Sequence, residues 1–431
     1  RCGSARIRTA TAVGVALLGP LGSMLVGLYQ FYGTPMVFAY DPFVGYFSGA
    51  VYDTVLDPAG LYTYRAASAA TLVAAYAAAA HLEQGRGQAD EAVSRLRWRW
   101  SLPERRWLMP LGVGCAIASA ASVAAGSRLG HWQTASTIAA ELGGRVATGD
   151  CVVVHSRTIP GAEAQLLAQD CHGHAAALSG WFGTPWNAPV TVYLFADAGQ
   201  KRRLMGAAQV SIAKPWRREI YIHDQGYPHR SLGHELAHVW AGEVGRGPFA
   251  IAGGLGGWLP DPGLIEGVAV AAAPRRGDLT EAEWAKAMRD IEVLPPMGEL
   301  FGLSFFGRHS STAYTAAGAF VGFVRQRFGA PCIRRWYGGE RLGEITGQSL
   351  EALERDWHEE LDGMQLSEAA LIQARARFDR PGVFSRRCPH VVDANLAAAG
   401  ALHGWGDHEA SIAAYDTALG FDPANVTGLM G

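Results

Sequence analysis

Five consecutive residues, His234 to His238, constrain this chain more than any other stretch of its sequence. They spell His-Glu-Leu-Ala-His, and positions four apart lie on the same face of an α-helix. His234 and His238 can therefore offer two imidazole nitrogens to one metal ion, which is the spacing that a catalytic zinc ion needs. Glu235, next to the first of these ligands, is placed to act as a general base on a water molecule. The pattern predicts a metal-binding helix.

The sequence around this motif favours such a helix. Residues 219–223 alternate like a strand, and residues 225–228 indicate a turn before the helix. Four apolar residues then fall on one helical face, namely Leu232, Leu236, Val239 and Trp240. Both histidines lie off this face. A pair of core histidines is the alternative interpretation, and the phase of the apolar face argues against it.

A third ligand is predicted on a second helix. Pro260-Asp261-Pro262 is typical of a helix start, and the helix that follows carries Glu266. A carboxylate from this helix would complete a three-ligand site with an open position for water or substrate. Gly267 and Ala269 are small enough to let this helix pack closely on the first one. The alternative is a surface glutamate in a first helical turn, where a carboxylate is favoured in any case.

Length, charge and cysteine content set outer bounds on the chain. Its 431 residues suffice for two or three domains, and a formal net charge of -2 gives no reason to expect a nucleic-acid partner. The six cysteines include no Cys-x-x-Cys pair, which argues against a thiolate zinc site. Cys151 and Cys171 flank one segment, and they form either a disulfide or two buried free thiols.

The first third of the chain is predicted to be a membrane region, residues 1–130. About three transmembrane helices are expected, at 9–31, 64–82 and 107–126, and the last two could instead be buried helices. Arginines precede the first stretch and fill the link between the second and the third, which indicates alternating membrane sides. These patterns predict a multi-pass protein of a bacterial-type cytoplasmic membrane. The lipid bilayer would be a partner, and the following domain would lie on the extracytoplasmic, periplasmic side.

The rest of the chain divides into a mixed region and a helical end. Over residues 150–362, strands at 151–155 and 190–195 alternate with helices, which predicts an α+β order with a small sheet beside the metal-binding helix. Over residues 363–431, two helices joined by a Gly-Trp-Gly-Asp turn have the appearance of a tetratricopeptide-like pair. We expect further repeats after this truncated segment, and a protein partner on it. A simple two-helix cap is the alternative.

The two metal motifs together resemble a known group of enzymes. His234 to His238, followed by Glu266-Gly267-Val268-Ala269, is similar to the gluzincin zinc metallopeptidases, in particular the peptidase-MA-like domains. The resemblance implies that His234, His238 and Glu266 bind Zn²⁺ and that Glu235 is the general base. It also implies a peptide or protein substrate.

The resemblance further concerns Tyr314 and two departures from the family. Tyr314, followed by Gly318, resembles the tyrosine that stabilises the oxyanion in aminopeptidase-type members, with one extra residue in the spacing; a core tyrosine is the alternative. Val270 stands where thermolysin-like members carry an orienting aspartate. Residues 206–209 lack the acidic segment with which aminopeptidase-type members grip the substrate amine. A close thermolysin relative and an exopeptidase of that type are therefore disfavoured.

The expected fold class is an α+β zincin-like metallopeptidase domain, with a small sheet, an active-site helix and a C-terminal helical part. An N-terminal α-helical membrane region would precede it, and a C-terminal α-helical repeat-like segment would follow. The expected function is that of a membrane-anchored zinc-dependent peptidase. The alternative is a catalytically silent envelope scaffold or binding protein. An intramembrane protease is disfavoured, because Arg230, Glu243 and Arg246 flank the motif.

Overall fold

The structure is a computed structural model, and it describes residues 2–48, 60–87, 107–186, 188–273, 277, 279–378, 389–423 and 425–430. Its contacts divide the chain into two compact units, Arg1–Glu141 with Lys201–Ala207, and Leu142–Gln200 with Ala208–Gly431. The strands are β1 Phe38–Asp41, β2 Gly45–Ser48, β3 Gly143–Thr148, β4 Cys151–Ser156, β5 Val190–Phe195, β6 Ile212–Lys214, β7 Glu219–His223 and β8 Leu259–Pro260.

The helices before the predicted metal-binding residues are α1 Cys2–Gly33, α2 Leu61–Gly87, α3 Leu108–Ala124, α4 Ala135–Leu142, α5 Gly161–Phe182 and α6 Ala198–Met205. Those that follow are α7 Leu232–Ala241, α8 Gly254–Gly257, α9 Pro262–Ala272, α10 Glu281–Asp290, α11 Met297–Leu300, α12 Ser310–Tyr337, α13 Leu342–Thr346, α14 Leu350–Asp362, α15 Glu368–Phe378, α16 Pro389–Gly404, α17 His408–Phe421 and α18 Val426–Met430.

The predicted membrane-spanning helices are wrong as membrane spans. α1 and α2 do cover 9–31 and 64–82, and α3 covers most of 107–126. Among the described residues, however, no helix combines the length and the apolar character that a bilayer crossing requires. α3 ends after 17 residues, where a span needs about 20. Alanine dominates α2, and glycines and Pro20 dilute the apolar sequence of α1. Side chains this small contribute little free energy to the transfer of a helix from water into hydrocarbon.

This finding removes the basis of several related predictions. The membrane region at 1–130, the multi-pass location in a bacterial-type cytoplasmic membrane with a periplasmic domain, and the bilayer as partner all depended on those spans. The arginine-rich link between the second and third stretches falls largely on residues 88–106, outside the described residues. The fold class is corrected to a mixed α/β fold with a five-stranded mixed sheet, in which 64% of the described residues are helical.

The first unit contains a small hairpin and a helix pair. β1 and β2 pair antiparallel, with Tyr40 opposite Tyr46. Phe38 and Tyr40 are buried with Met36 in a core of their own. α2 packs on α3, where a Cβ on Gly112 would lie 2.6 Å from the Ala77 Cβ.

The second unit is built on a five-stranded sheet of order β3-β4-β5-β7-β6. β4, β5 and β7 are parallel, and the outer strands β3 and β6 are antiparallel to their neighbours. α5 connects β4 to β5, because parallel neighbours need a crossover. Val153, Val192 and Ile220 lie at matching register positions and are fully buried in the main core.

Of the two expectations for Cys151 and Cys171, the disulfide is the one observed, and it joins β4 to α5. The strands predicted at 151–155, 190–195 and 219–223 are confirmed. At the C-terminal end α16 packs on α17, with Ser411 Oγ donating to the Ala399 carbonyl at 2.9 Å. The tetratricopeptide-like character of this pair stays a prediction.

Candidate metal centre

The helix that carries His234 and His238 is anchored by its apolar face. Leu232, Leu236, Val239 and Trp240 are each at most 1% exposed, as their spacing predicted. Trp240 stacks on Phe182 of α5, with ring centroids 3.9 Å apart and planes 7° apart. Because this face is held in the core, the two histidines project from another side of α7. The prediction that they lie off the apolar stripe is confirmed.

The second helix, α9, holds Glu266 through its cap and its packing. Asp261 accepts a hydrogen bond from the Leu264 amide at 3.1 Å, and Pro262 opens the helix, as the sequence predicted. Gly267 does allow a close helix contact, but with α12 rather than with α7. A Cβ there would lie 3.0 Å from both the Ala317 carbonyl oxygen and Val321 Cγ2. Gly267 therefore sets the position of Glu266 relative to α12.

The structure brings the three predicted ligands together. The Nε2 atoms of His234 and His238 are 3.1 Å apart. Glu266 Oε2 lies 3.2 Å from His234 Nε2 and 3.3 Å from His238 Nε2. These side chains are only 11–20% exposed. The three atoms form a nearly equilateral triangle from two separate helices.

This triangle fits a small divalent cation. Ligand atoms bound tetrahedrally at about 2.0–2.1 Å lie about 3.3 Å from one another. The measured separations of 3.1 to 3.3 Å match that value. Two imidazoles and one carboxylate are a donor set that suits zinc, although other first-row divalent metals bind it as well. The residues present therefore fit the predicted ion, and the geometry by itself does not select zinc.

The electrostatics of the cluster also favour positive charge at its centre. Burial alone raises the pKa of the Glu266 carboxyl, but the charges and hydrogen bonds of His238 and His234 outweigh it and hold this pKa below its usual value. Burial lowers the pKa of the His238 imidazole, and the negative charges of Glu266 and Glu235 more than reverse that effect. The negative charge of Glu266 would likewise favour a divalent cation bound between the three side chains.

The two residues predicted to be catalytic lie at the same place. Glu235 is only 6% exposed, and its charge acts on the neighbouring His238. Tyr314, on α12, has its ring centroid 6.5 Å from that of His234 and 5.4 Å from that of Phe305. All five predicted site residues are thus gathered by three helices, α7, α9 and α12.

Two further residues next to the site were missed by sequence reasoning. Burial raises the pKa of the Tyr337 hydroxyl, and the charge of Glu266 adds to this shift, so Tyr337 lies within electrostatic reach of the third ligand. His174 of α5 packs against Gly233, where a Cβ would lie 2.8 Å from the ring. No short motif marks either residue, because each reaches the site through packing between elements distant in sequence.

The chain was compared with protein-family models, with curated proteins and with solved structures, and none of them matches it.

Proposed function

We propose that this chain is a zinc-dependent peptidase of the gluzincin type, which hydrolyses peptide bonds in a peptide or protein substrate. One observation carries the proposal: the donor atoms of His234, His238 and Glu266 converge at 3.1 to 3.3 Å from one another. The position of Glu235 between the two histidines on α7 supports it further. So does the resemblance of the two motifs to the gluzincins.

The chain's own residues have separate roles in this proposal. His234, His238 and Glu266 would hold the zinc ion, which acts as a Lewis acid that polarises a carbonyl and makes water more acidic. The Glu235 carboxylate accepts a proton from the attacking water and then passes it to the nitrogen of the leaving amine. The Tyr314 hydroxyl donates a hydrogen bond to the oxyanion that develops on the substrate carbonyl.

The test is the Glu235→Gln variant of the whole chain, loaded with one zinc per molecule. The amide keeps the shape of the side chain and cannot accept the proton. Peptide cleavage should therefore fall by about 10²- to 10⁴-fold while zinc content stays at one per chain. Mass spectrometry of products from an unbiased peptide mixture, with and without a chelator, measures the activity, and elemental analysis measures the metal.

Glu360→Gln is the matched control, because Glu360 is an exposed glutamate on α14. It should leave both cleavage and zinc content unchanged. Undiminished cleavage by the Glu235→Gln protein would contradict the proposed mechanism. A wild-type chain that binds zinc and cleaves no peptide would instead favour a scaffold or binding role. A chain that binds another divalent metal in preference to zinc would contradict the cofactor assignment.

A further inference from the structure

A cavity in the first unit is separate from the residues of the metal centre. Its volume is about 670 Å³, and its lining comes from the β1–β2 hairpin, residues 127–141 and residues 202–206. All of these belong to the unit formed by Arg1–Glu141 and Lys201–Ala207. Small-molecule sites usually occupy about 300–1,000 Å³. The cavity therefore has the size of a site for a small organic molecule.

One wall of this cavity is aromatic and held in place by ring packing. Phe38, Tyr40 and Tyr46 line it. Tyr40 and Tyr46 are cross-strand partners with ring centroids 5.2 Å apart, and Phe38 meets Tyr40 edge-on at 5.5 Å. Behind this wall, Tyr64 stacks on Tyr40 at 5.3 Å. Such a wall offers a rigid face to a flat or apolar molecule.

Another part of the lining is positively charged. Arg128, Arg202 and Arg203 line the cavity against a single acidic residue, Glu141. Arg128 and Arg203 are exposed. Within the part of the chain that the structure describes, neither of their guanidinium groups has a hydrogen bond or an ion pair. This balance of charge favours an organic anion over an organic cation on the aromatic wall, because three positive charges would repel a cation.

Two glycines bring the charged and aromatic sides together. Gly206 follows α6 with a φ of +89°, and a Cβ there would lie 2.3 Å from Phe38 Cδ1. The Val37 amide donates to the Met205 carbonyl at 2.9 Å, which ties the end of α6 to the start of the hairpin. On the other side, a Cβ on Gly60 would lie 2.8 Å from the Tyr40 hydroxyl oxygen. The backbone approaches the wall closely at both positions, so only glycine fits.

We propose that this cavity binds a small organic anion. The flat, apolar body of the ligand lies on Phe38, Tyr40 and Tyr46, and its carboxylate, sulfonate or phosphate group is bound by Arg128 and Arg203. Guanidinium groups suit such anions because their planar N–H groups match two oxygens at once. The site is independent of the proposed peptidase activity, since none of its residues belongs to the metal centre.

Two fluorescent probes that differ by one charged group test this site on the whole, zinc-loaded chain. Anilinonaphthalenesulfonate has an aromatic body and a sulfonate, and N-phenylnaphthylamine has a similar body without the charge. The wild-type chain should bind one sulfonate probe, and the affinity should fall with added salt. Arg128→Gln combined with Arg203→Gln should lower the affinity for the sulfonate probe by about tenfold or more and leave the affinity for the neutral probe unchanged.

The control replaces two exposed arginines of the other unit, Arg341→Gln with Arg375→Gln, which changes the net charge equally. It should affect neither probe. Tyr46→Ala should weaken both probes, because it removes part of the aromatic wall. The inference is overturned if the wild-type chain lacks a saturable single site for the sulfonate probe. It is also overturned if the Arg128→Gln/Arg203→Gln variant changes the affinity for both probes equally. The same holds if the control variant lowers the affinity for the sulfonate probe as much as that variant does.

Discussion

The contact between α9 and α12 offers a sharp test of how the structure holds Glu266. Gly318 of α12 faces Val270 of α9, which lies one helical turn after Glu266. A Cβ on Gly318 would lie 2.2 Å from Val270 Cγ1 and 2.7 Å from Val270 Cβ. Ordinary contact between carbon atoms begins at about 3.5 Å. Gly318→Ala therefore forces the two helices apart.

The size of the effect follows from these distances. A new rotamer of Val270 moves its Cγ atoms but not its Cβ, so the backbone of one helix has to shift. Overpacking of this kind destabilises by about 1–3 kcal/mol. Replacing a helical glycine by alanine regains about 0.5–1 kcal/mol. The net loss in the free energy of unfolding should be about 1 kcal/mol. Because Glu266 moves with α9, zinc affinity should fall by about tenfold or more.

Gly322, one turn further along α12, is the matched control. No atom lies within 4 Å of a Cβ built there, so Gly322→Ala should stabilise the chain by about 0.5–1 kcal/mol and leave zinc affinity unchanged. Urea unfolding followed by tryptophan fluorescence measures stability, and competition with a coloured chelator measures affinity. The packing argument would be refuted if both variants changed the free energy of unfolding equally. It would also be refuted if the Gly318→Ala protein were as stable as wild type and bound zinc with the same affinity.

Two further predictions concern the second unit. Replacing Cys151 and Cys171 together by alanine should lower the free energy of unfolding by about 3 kcal/mol, because the disulfide closes a loop of 20 residues in the unfolded chain. A urea midpoint equal to that of the oxidised wild type would contradict this. Burial lowers the pKa of Lys214 to about 7, so between pH 7 and its usual pKa near 10.5 the unfolded chain binds more protons and stability should rise with pH. Lys214→Met should flatten that rise in urea titrations across this window, and parallel slopes for the two proteins would count against it.

Local patterns allowed most individual elements to be predicted. The strand predicted at 190–195 is β5, and the one at 219–223 is β7. The apolar face of α7 lies in the core residue by residue. These predictions succeed because each element carries its own signal, either a period of apolar residues or a cap such as Asp261.

Other properties depend on the environment of a segment, and local patterns failed for them. The stretches at 9–31, 64–82 and 107–126 are helical, yet they lack the combination of length and apolar character that a span needs. A run that is rich in alanine and glycine suits close packing between helices as well as it suits lipid. Gly112 against Ala77 is one such contact. The number of consecutive uncharged residues therefore does not distinguish a helix that packs on another helix from one that spans a bilayer.

The sequence by itself determined which residues could bind a metal and which helix face each of them occupies. His234 and His238 are four positions apart, so their alignment is a property of one helix. Only the tertiary structure decided that Glu266 lies 3.2 Å from His234 and that Tyr314 packs beside the same ring. The first distance depends on how α9 packs on α7, and α9 is in turn positioned against α12 at Gly267 and Gly318. Packing between helices is set by the side chains of both partners at once, and no pattern within one helix contains it.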